Sequence, residues 1–226
     1  MIHLSNVTAS YELPGGGMRT VLQSCSLRIE TGEFVYLVGP SGCGKSTLLK
    51  LLYRDHLPDE GDIWVGDFYL NDIKPTEIPL LRRSMGIVFQ DFKLLTDRRV
   101  ADNVAFTLHA QEASGAVVKR KTLEALTKVG LAYKRKAMPH EISGGEQQRI
   151  CIARAIVHDP WLLLADEPTG NLDPDVAENI MELLLSLNQQ GMTILMATHN
   201  YDLVKKYPSK TLAILDGHLV EVDVTR

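Results

Sequence analysis

The stretch Gly39-Pro40-Ser41-Gly42-Cys43-Gly44-Lys45-Ser46 follows directly on an apolar run, Phe34-Val35-Tyr36-Leu37-Val38, and has the spacing GxxxxGK[S/T]. The run reads as a buried strand and the stretch as a phosphate-binding loop that opens a helix near Lys45. Glycines admit backbone conformations closed to other residues. Successive N–H groups can then turn inward around phosphate oxygens, while the positive end of the helix dipole faces them. Lys45 is expected to reach the β- and γ-phosphates. The Ser46 hydroxyl suits Mg²⁺, a hard cation that prefers oxygen donors and keeps several waters. A nucleotide with Mg²⁺ is the expected ligand.

On the N-terminal side, strand-like segments cover residues 2–11 and 26–38, broken by the turn Leu13-Pro14-Gly15-Gly16-Gly17. Residues 63–70 and 85–89 add short strands. From about residue 92 to residue 157 the spacing becomes helical, as in Val100, Val104, Leu108 and then Leu123, Leu126, Val129, which reads as an inserted helical subdomain. Strands return at 162–165, 193–197 and 211–215. Between the first two of these lies an amphipathic helix with Val176, Ile180, Leu183, Leu184 and Leu187 on one face, for which core packing is a sufficient reason. Alternating strands and helices imply a mainly parallel sheet with its ligand site at the carboxyl ends of the strands.

Those ends carry the remaining chemistry. The strand 162–165 runs into Asp166-Glu167. Asp166 can join a Mg²⁺ shell and Glu167 can polarise an attacking water, which is what phosphoryl transfer asks of a phosphate-loop site. The strand 193–198 runs into His199, a γ-phosphate sensor by its place on the same rim, and 87–89 runs into Gln90, which could reach Mg²⁺ or the water. Ile142-Ser143-Gly144-Gly145-Glu146-Gln147-Gln148-Arg149 opens a second helix with a small-residue turn. This is either an anion-binding helix terminus, closing over a phosphate held by another copy in a head-to-tail dimer, or a capping box of Ser143 with Glu146; both can hold at once.

The chain has 226 residues, a hydrophobic fraction of 45% and a net charge of −4. That suffices for one large α/β domain with its own core, and it supplies no general attraction to nucleic acid. The short basic clusters Lys119-Arg120-Lys121 and Lys134-Arg135-Lys136 lie within helical patterns and read as solvated faces. Cys25, Cys43 and Cys151 have no metal-like spacing, which points to a reducing compartment. The N-terminus lacks the basic start and apolar core of a signal peptide, and no run of about 18 apolar residues is present to span a membrane.

These residues resemble the ATP-binding subunits of ABC transporters over essentially the whole chain. GPSGCGKST is similar to Walker A and includes Thr47; Gln90 is similar to the Q-loop, ISGGEQQR to the signature, LLLADE to Walker B, Asn171-Leu172-Asp173 to the D-loop and His199 to the switch histidine. Tyr11 falls where that family stacks an aromatic on adenine. The resemblance implies an α/β P-loop NTPase of the ABC ATPase type, with a mainly parallel core sheet, an antiparallel β subdomain and the inserted helical subdomain at about 92–157 of a single domain, 1–226. It also implies ATP and Mg²⁺ as ligands and a homodimer with ATP sandwiched between Walker A of one chain and Ser143, Gly144, Gly145 and Asp173 of the other. The signature departs from the commoner LSGGQ at Ile142 and Glu146, which bears on the polarity of that interface.

Residues 52–54, 78–83, 88–95 and 143–149 resemble the cell-division ATPases of the superfamily. That likeness implies an integral membrane partner of the FtsX type, other division proteins beyond it, and a place on the cytoplasmic side of the inner membrane. Pro168-Thr169-Gly170-Asn171-Leu172-Asp173 is shared with the ATPases of lipoprotein-release and macrolide-export complexes, the alternative within the superfamily. A nucleotide-gated scaffold with little turnover is the alternative of another class, and the filled positions Glu167 and His199 argue against it. Phe92, Leu94 and Leu95, apolar residues just after Gln90, form the expected docking surface for the membrane partner, or else pack against the helical subdomain.

Overall fold

A computed structural model describes residues 1–13 and 15–224; Pro14, part of the expected turn, lies outside them. The chain forms β1 (Ile2–Glu12), β2 (Met18–Ile29), β3 (Phe34–Val38), α1 (Lys45–Leu52), β4 (Glu60–Val65), β5 (Phe68–Tyr69), α2 (Ile78–Arg83), β6 (Met85–Val88), α3 (Val100–His109) and α4 (Gly115–Lys128). It continues with α5 (Gly144–Ile156), β7 (Leu162–Asp166), α6 (Pro174–Gln189), β8 (Thr193–Thr198), α7 (Tyr201–Lys206), β9 (Lys210–Leu215) and β10 (His218–Glu221). Two compact units result, Met1–Arg82 with Thr193–Arg226, and Arg83–Met192.

In the first unit β2, β1, β4 and β5 form an antiparallel sheet in that order. Ile2 and Leu4 of β1 are buried, and so are Val7 and Ala9. The odd step from Leu4 to Val7 keeps both pairs inward because the register shifts there and Asn6 turns left-handed, with φ 50. β3 pairs in parallel with both β8 and β9, and β10 closes antiparallel onto β9. All five residues of β3 are buried, as expected of a parallel strand covered on both faces. The stretch 26–38, strand-like throughout by composition, is in fact two strands. Gly32, with φ 78, and the bond from Glu33 N–H to the Glu30 carbonyl make the turn that splits it.

In the second unit β6 and β7 are parallel, and α3, α4 and α5 pack together. The buried row of α4 and its C-cap is Val118, Thr122, Ala125, Leu126 and Val129, at i, i+4, i+7, i+8 and i+11. Leu123, expected inside, falls one position off that row and is 49% exposed. Likewise α6 buries Ala177, Ile180, Met181, Leu184 and Leu187, so that Val176 and Leu183 flank the buried stripe instead of forming it. No helix among the described residues is long and apolar enough to cross a membrane.

Candidate active site

The first unit holds Tyr11, residues 39–47 and His199. Val38 of β3 pairs in register with Thr198 of β8, so Gly39 and His199 leave neighbouring parallel strands at the same carboxyl edge. Gly44 caps α1 with φ 115, a conformation strained for any residue with a side chain, and a Cβ there would lie 3.0 Å from the Val21 carbonyl oxygen. Lys45 is only 6% exposed, and its Nζ donates to the carbonyls of Gly39 at 2.8 Å and Pro40 at 3.2 Å. Both of these acceptors are neutral, and bonds from an ammonium to anionic oxygens are stronger than those to carbonyls. Ser46 is exposed in the first turn of α1 and Thr47 is buried. Pro40, Ser41, Gly42 and Cys43 line a cavity of about 410 Å³ together with Arg19 and Asp216. His199 is exposed, and the Asn200 side chain beside it caps α7 by accepting from Leu203 N–H at 3.1 Å. Tyr11, half-buried near the end of β1, stacks on His56 with ring centroids 4.4 Å apart and planes 12° from parallel.

The second unit holds Gln90, Ser143, Gly144, Gly145, Asp166, Glu167 and Asp173. Val88 of β6 pairs with Ala165 of β7, so Gln90 and the Asp166-Glu167 pair also emerge side by side at a carboxyl edge. Gln90 is exposed, Asp166 half-buried and Glu167 8% exposed. Glu167 has φ 47, the left-handed region that non-glycine residues enter at a cost and that is enriched at functional sites. Ser143 Oγ accepts from Glu146 N–H at 3.3 Å while Glu146 Oε2 accepts from Ser143 N–H at 2.9 Å. The capping-box reading of that turn is therefore met. The Ser143 N–H holds the Glu146 carboxyl below the usual carboxylate range, and Lys134 and the Tyr133 hydroxyl act in the same direction. Gly145 is demanded by packing as well, since a Cβ there would lie 2.4 Å from Val176 Cγ1 of α6. Asp173 is exposed at the N-cap of α6.

The segment after Gln90 is built more firmly than its composition indicates. Phe92 and Lys93 are both left-handed, at φ 55 and φ 47. The Arg154 guanidinium of α5 donates to their carbonyls, at 2.7 Å to Phe92 and 2.6 Å to Lys93, and Cys151 Sγ donates to the Phe92 carbonyl at 3.0 Å. Burial pushes the Cys151 thiol up to about 12. Farther along, the fully buried Asn103 accepts from Leu95 N–H at 2.7 Å and donates to the carbonyls of Leu95, Arg98 and Arg99 at 3.0 to 3.1 Å. Phe92, Leu94 and Leu95 are each half-buried. Arg154, Asn103, Arg19 and His56 escaped the reading of the sequence. A signal existed for Arg154, which shares a helical face with Cys151 at i, i+3; none existed for His56, whose neighbour Tyr11 is brought to it by the fold.

Residues 22–170 match the ABC transporter family. The cell division ATP-binding protein FtsE of Streptococcus pneumoniae serotype 2 is 50% identical over 201 residues, covering 89% of this chain and 87% of that protein. The FtsE of Bacillus subtilis is 46% identical over 220 residues, covering 97% of this chain and 95% of that one. Among solved structures, a dimeric ATP-binding cassette in a post-hydrolysis state, bound to ADP and Pi, is similar with a TM-score of 0.89 and 34% identity, covering 99% of both chains.

Proposed function

The chain belongs to the ABC transporter family, and on that premise we propose that it is the ATP-hydrolysing subunit of a bacterial cell-division complex, working with an integral membrane partner of the FtsX type. ATP binding and hydrolysis come with the family. The observation that carries the cell-division reading is the 50% identity to an FtsE over 89% of the chain. We assign the whole chain to one nucleotide-binding domain, with residues 92–157 as its inserted helical part.

In the first unit, Lys45 and the backbone N–H groups of residue 39 and residues 41–47 take the β- and γ-phosphates, Tyr11 stacks on adenine and His199 contacts the γ-phosphate. In the second, Glu167 draws a proton from the attacking water as that water adds to the γ-phosphorus and the bond to the ADP oxygen breaks. Ser46, Gln90 and Asp166 offer hydroxyl, amide and carboxylate oxygens, the donor set that fits Mg²⁺. When bound, Mg²⁺ neutralises phosphate charge. Ser143, Gly144, Gly145 and Asp173 face the nucleotide of a second copy, so that two chains close over two ATP molecules and part after hydrolysis. The dimeric cassette neighbour with ADP and Pi supports this reading.

The membrane partner docks at Phe92, Leu94 and Leu95, which places the subunit peripherally at the cytoplasmic face of the membrane. The test is a pull-down from solubilised membranes with wild type and Leu95→Glu, followed by microscopy. Leu95→Glu is expected to lose the membrane protein, retain ATP binding by the isolated subunit and give filamentous cells. Recovery of a lipoprotein-release or export permease, with normal division, overturns the cell-division reading and leaves the ATPase intact.

A further inference from the structure

His56, whose ring stacks on Tyr11, lies outside the set of residues given roles above. The ring centroids are 4.4 Å apart and the planes 12° from parallel, so the imidazole lies flat against one face of the phenol, and the Tyr11 side chain as a whole is only half-buried. His56 Nε2 is buried and makes no hydrogen bond. A buried polar atom without a partner needs a reason. Here the ring is set by its face and not by its nitrogens.

The loop carrying His56 is fixed at both ends. Asp55 N–H and His56 N–H donate to the Lys50 carbonyl in the last turn of α1, at 2.9 and 3.4 Å, and Asp59 N–H donates at 2.8 Å to the Thr8 carbonyl of β1, the strand that carries Tyr11. The same α1 begins at Lys45 and is about 12 Å long. One rigid helix thus carries the phosphate-binding lysine at its start and the support of the Tyr11 ring just past its end.

We infer that His56 is a positioning residue for the nucleotide base: it holds Tyr11 in a fixed plane, so that a purine ring stacks on the face of a preformed platform opposite His56 instead of ordering a mobile side chain. The inference rests on Tyr11 being the adenine-stacking residue. Its chemistry is specific to the base, and phosphate binding should be indifferent to it.

The experiment compares binding of Mg-ATP with binding of inorganic tripolyphosphate, which carries no base, to the full chain and its variants. His56→Ala is expected to weaken ATP binding about 3- to 10-fold, the measured range for an aromatic pair, and to leave tripolyphosphate within about 2-fold. His56→Phe, which restores a flat ring, should recover ATP binding. Three results overturn the inference: unchanged ATP affinity in His56→Ala, an equal loss for ATP and tripolyphosphate, or tighter ATP binding, which would mean that the imidazole covers the face the base needs. Tyr11→Ala separates the two levels. If it loses ATP selectively and His56→Ala does not, His56 alone falls; if Tyr11→Ala shows no selective loss, the reading of Tyr11 falls and the role of His56 with it.

Discussion

Glu167 combines a nearly buried carboxylate with a left-handed backbone at the end of β7. Glu167→Gln keeps volume and conformation but removes the basicity, so hydrolysis should fall about 10²- to 10⁴-fold while ATP binding persists. Steady-state phosphate release and equilibrium binding check this, and size-exclusion chromatography with Mg-ATP should show the stalled dimer. Wild-type turnover would remove Glu167 from the role of base. Gly145 gives a stability prediction of a different kind. Gly145→Ala drives a Cβ to 2.4 Å from Val176 Cγ1, an overpacking worth about 1–3 kcal/mol, and thermal unfolding should occur at lower temperature. Val176→Ala in the same chain should recover most of that loss, because the clash lies with one methyl.

At the scale of elements, α5 deserves a test of its own because it joins the signature turn at its start to the post-Gln90 segment through Arg154. Arg154→Ala deprives two left-handed residues of the charged donor on their carbonyls. Hydrogen bonds from charged groups contribute about 1.5–3 kcal/mol, so amide exchange over residues 90–96 should quicken about 10- to 100-fold with β1 and β2 unaffected. Lysine at 154 should rescue only partly, since one ammonium cannot reproduce the two-pronged guanidinium. Equal exchange in Arg154→Ala and wild type would mean that the loop holds its own shape. The elements that were legible in the sequence are those whose chemistry is local: residues 34–46 and 162–167 each carry a strand and the polar residues at its end within one run, and 142–149 carries a turn, its cap and the start of a helix. What escaped depends on distant pairing. Arg154 meets carbonyls 61 and 62 residues earlier in the chain, and His56, in the loop between α1 and β4, meets Tyr11 near the end of β1. The break within 26–38 escaped for another reason, because apolar residues continue across it and only Gly32 marks the turn.

At the scale of the whole molecule, the proposed dimer makes each ATP site depend on two chains. Lys45→Ala should lose nucleotide affinity in the monomer, whereas Ser143→Arg should bind ATP and fail to dimerise, since it sets bulk and charge at a turn meant for the partner's phosphates. Mixing the two variants leaves at most one competent site per heterodimer, and phosphate release should recover only in part. Dimerisation of Ser143→Arg with ATP would reduce that turn to the helix cap it already is. The thiol of Cys151 carries a last consequence. With its proton held up to about 12 and its sulfur hidden against the Phe92 carbonyl, it cannot be alkylated until the segment lifts away. In a chain whose half-exposed Cys43 and buried Cys25 are both replaced by alanine, the labelling rate of Cys151 becomes a built-in clock for that lifting, against which nucleotides and membrane partner can be timed without any attached dye.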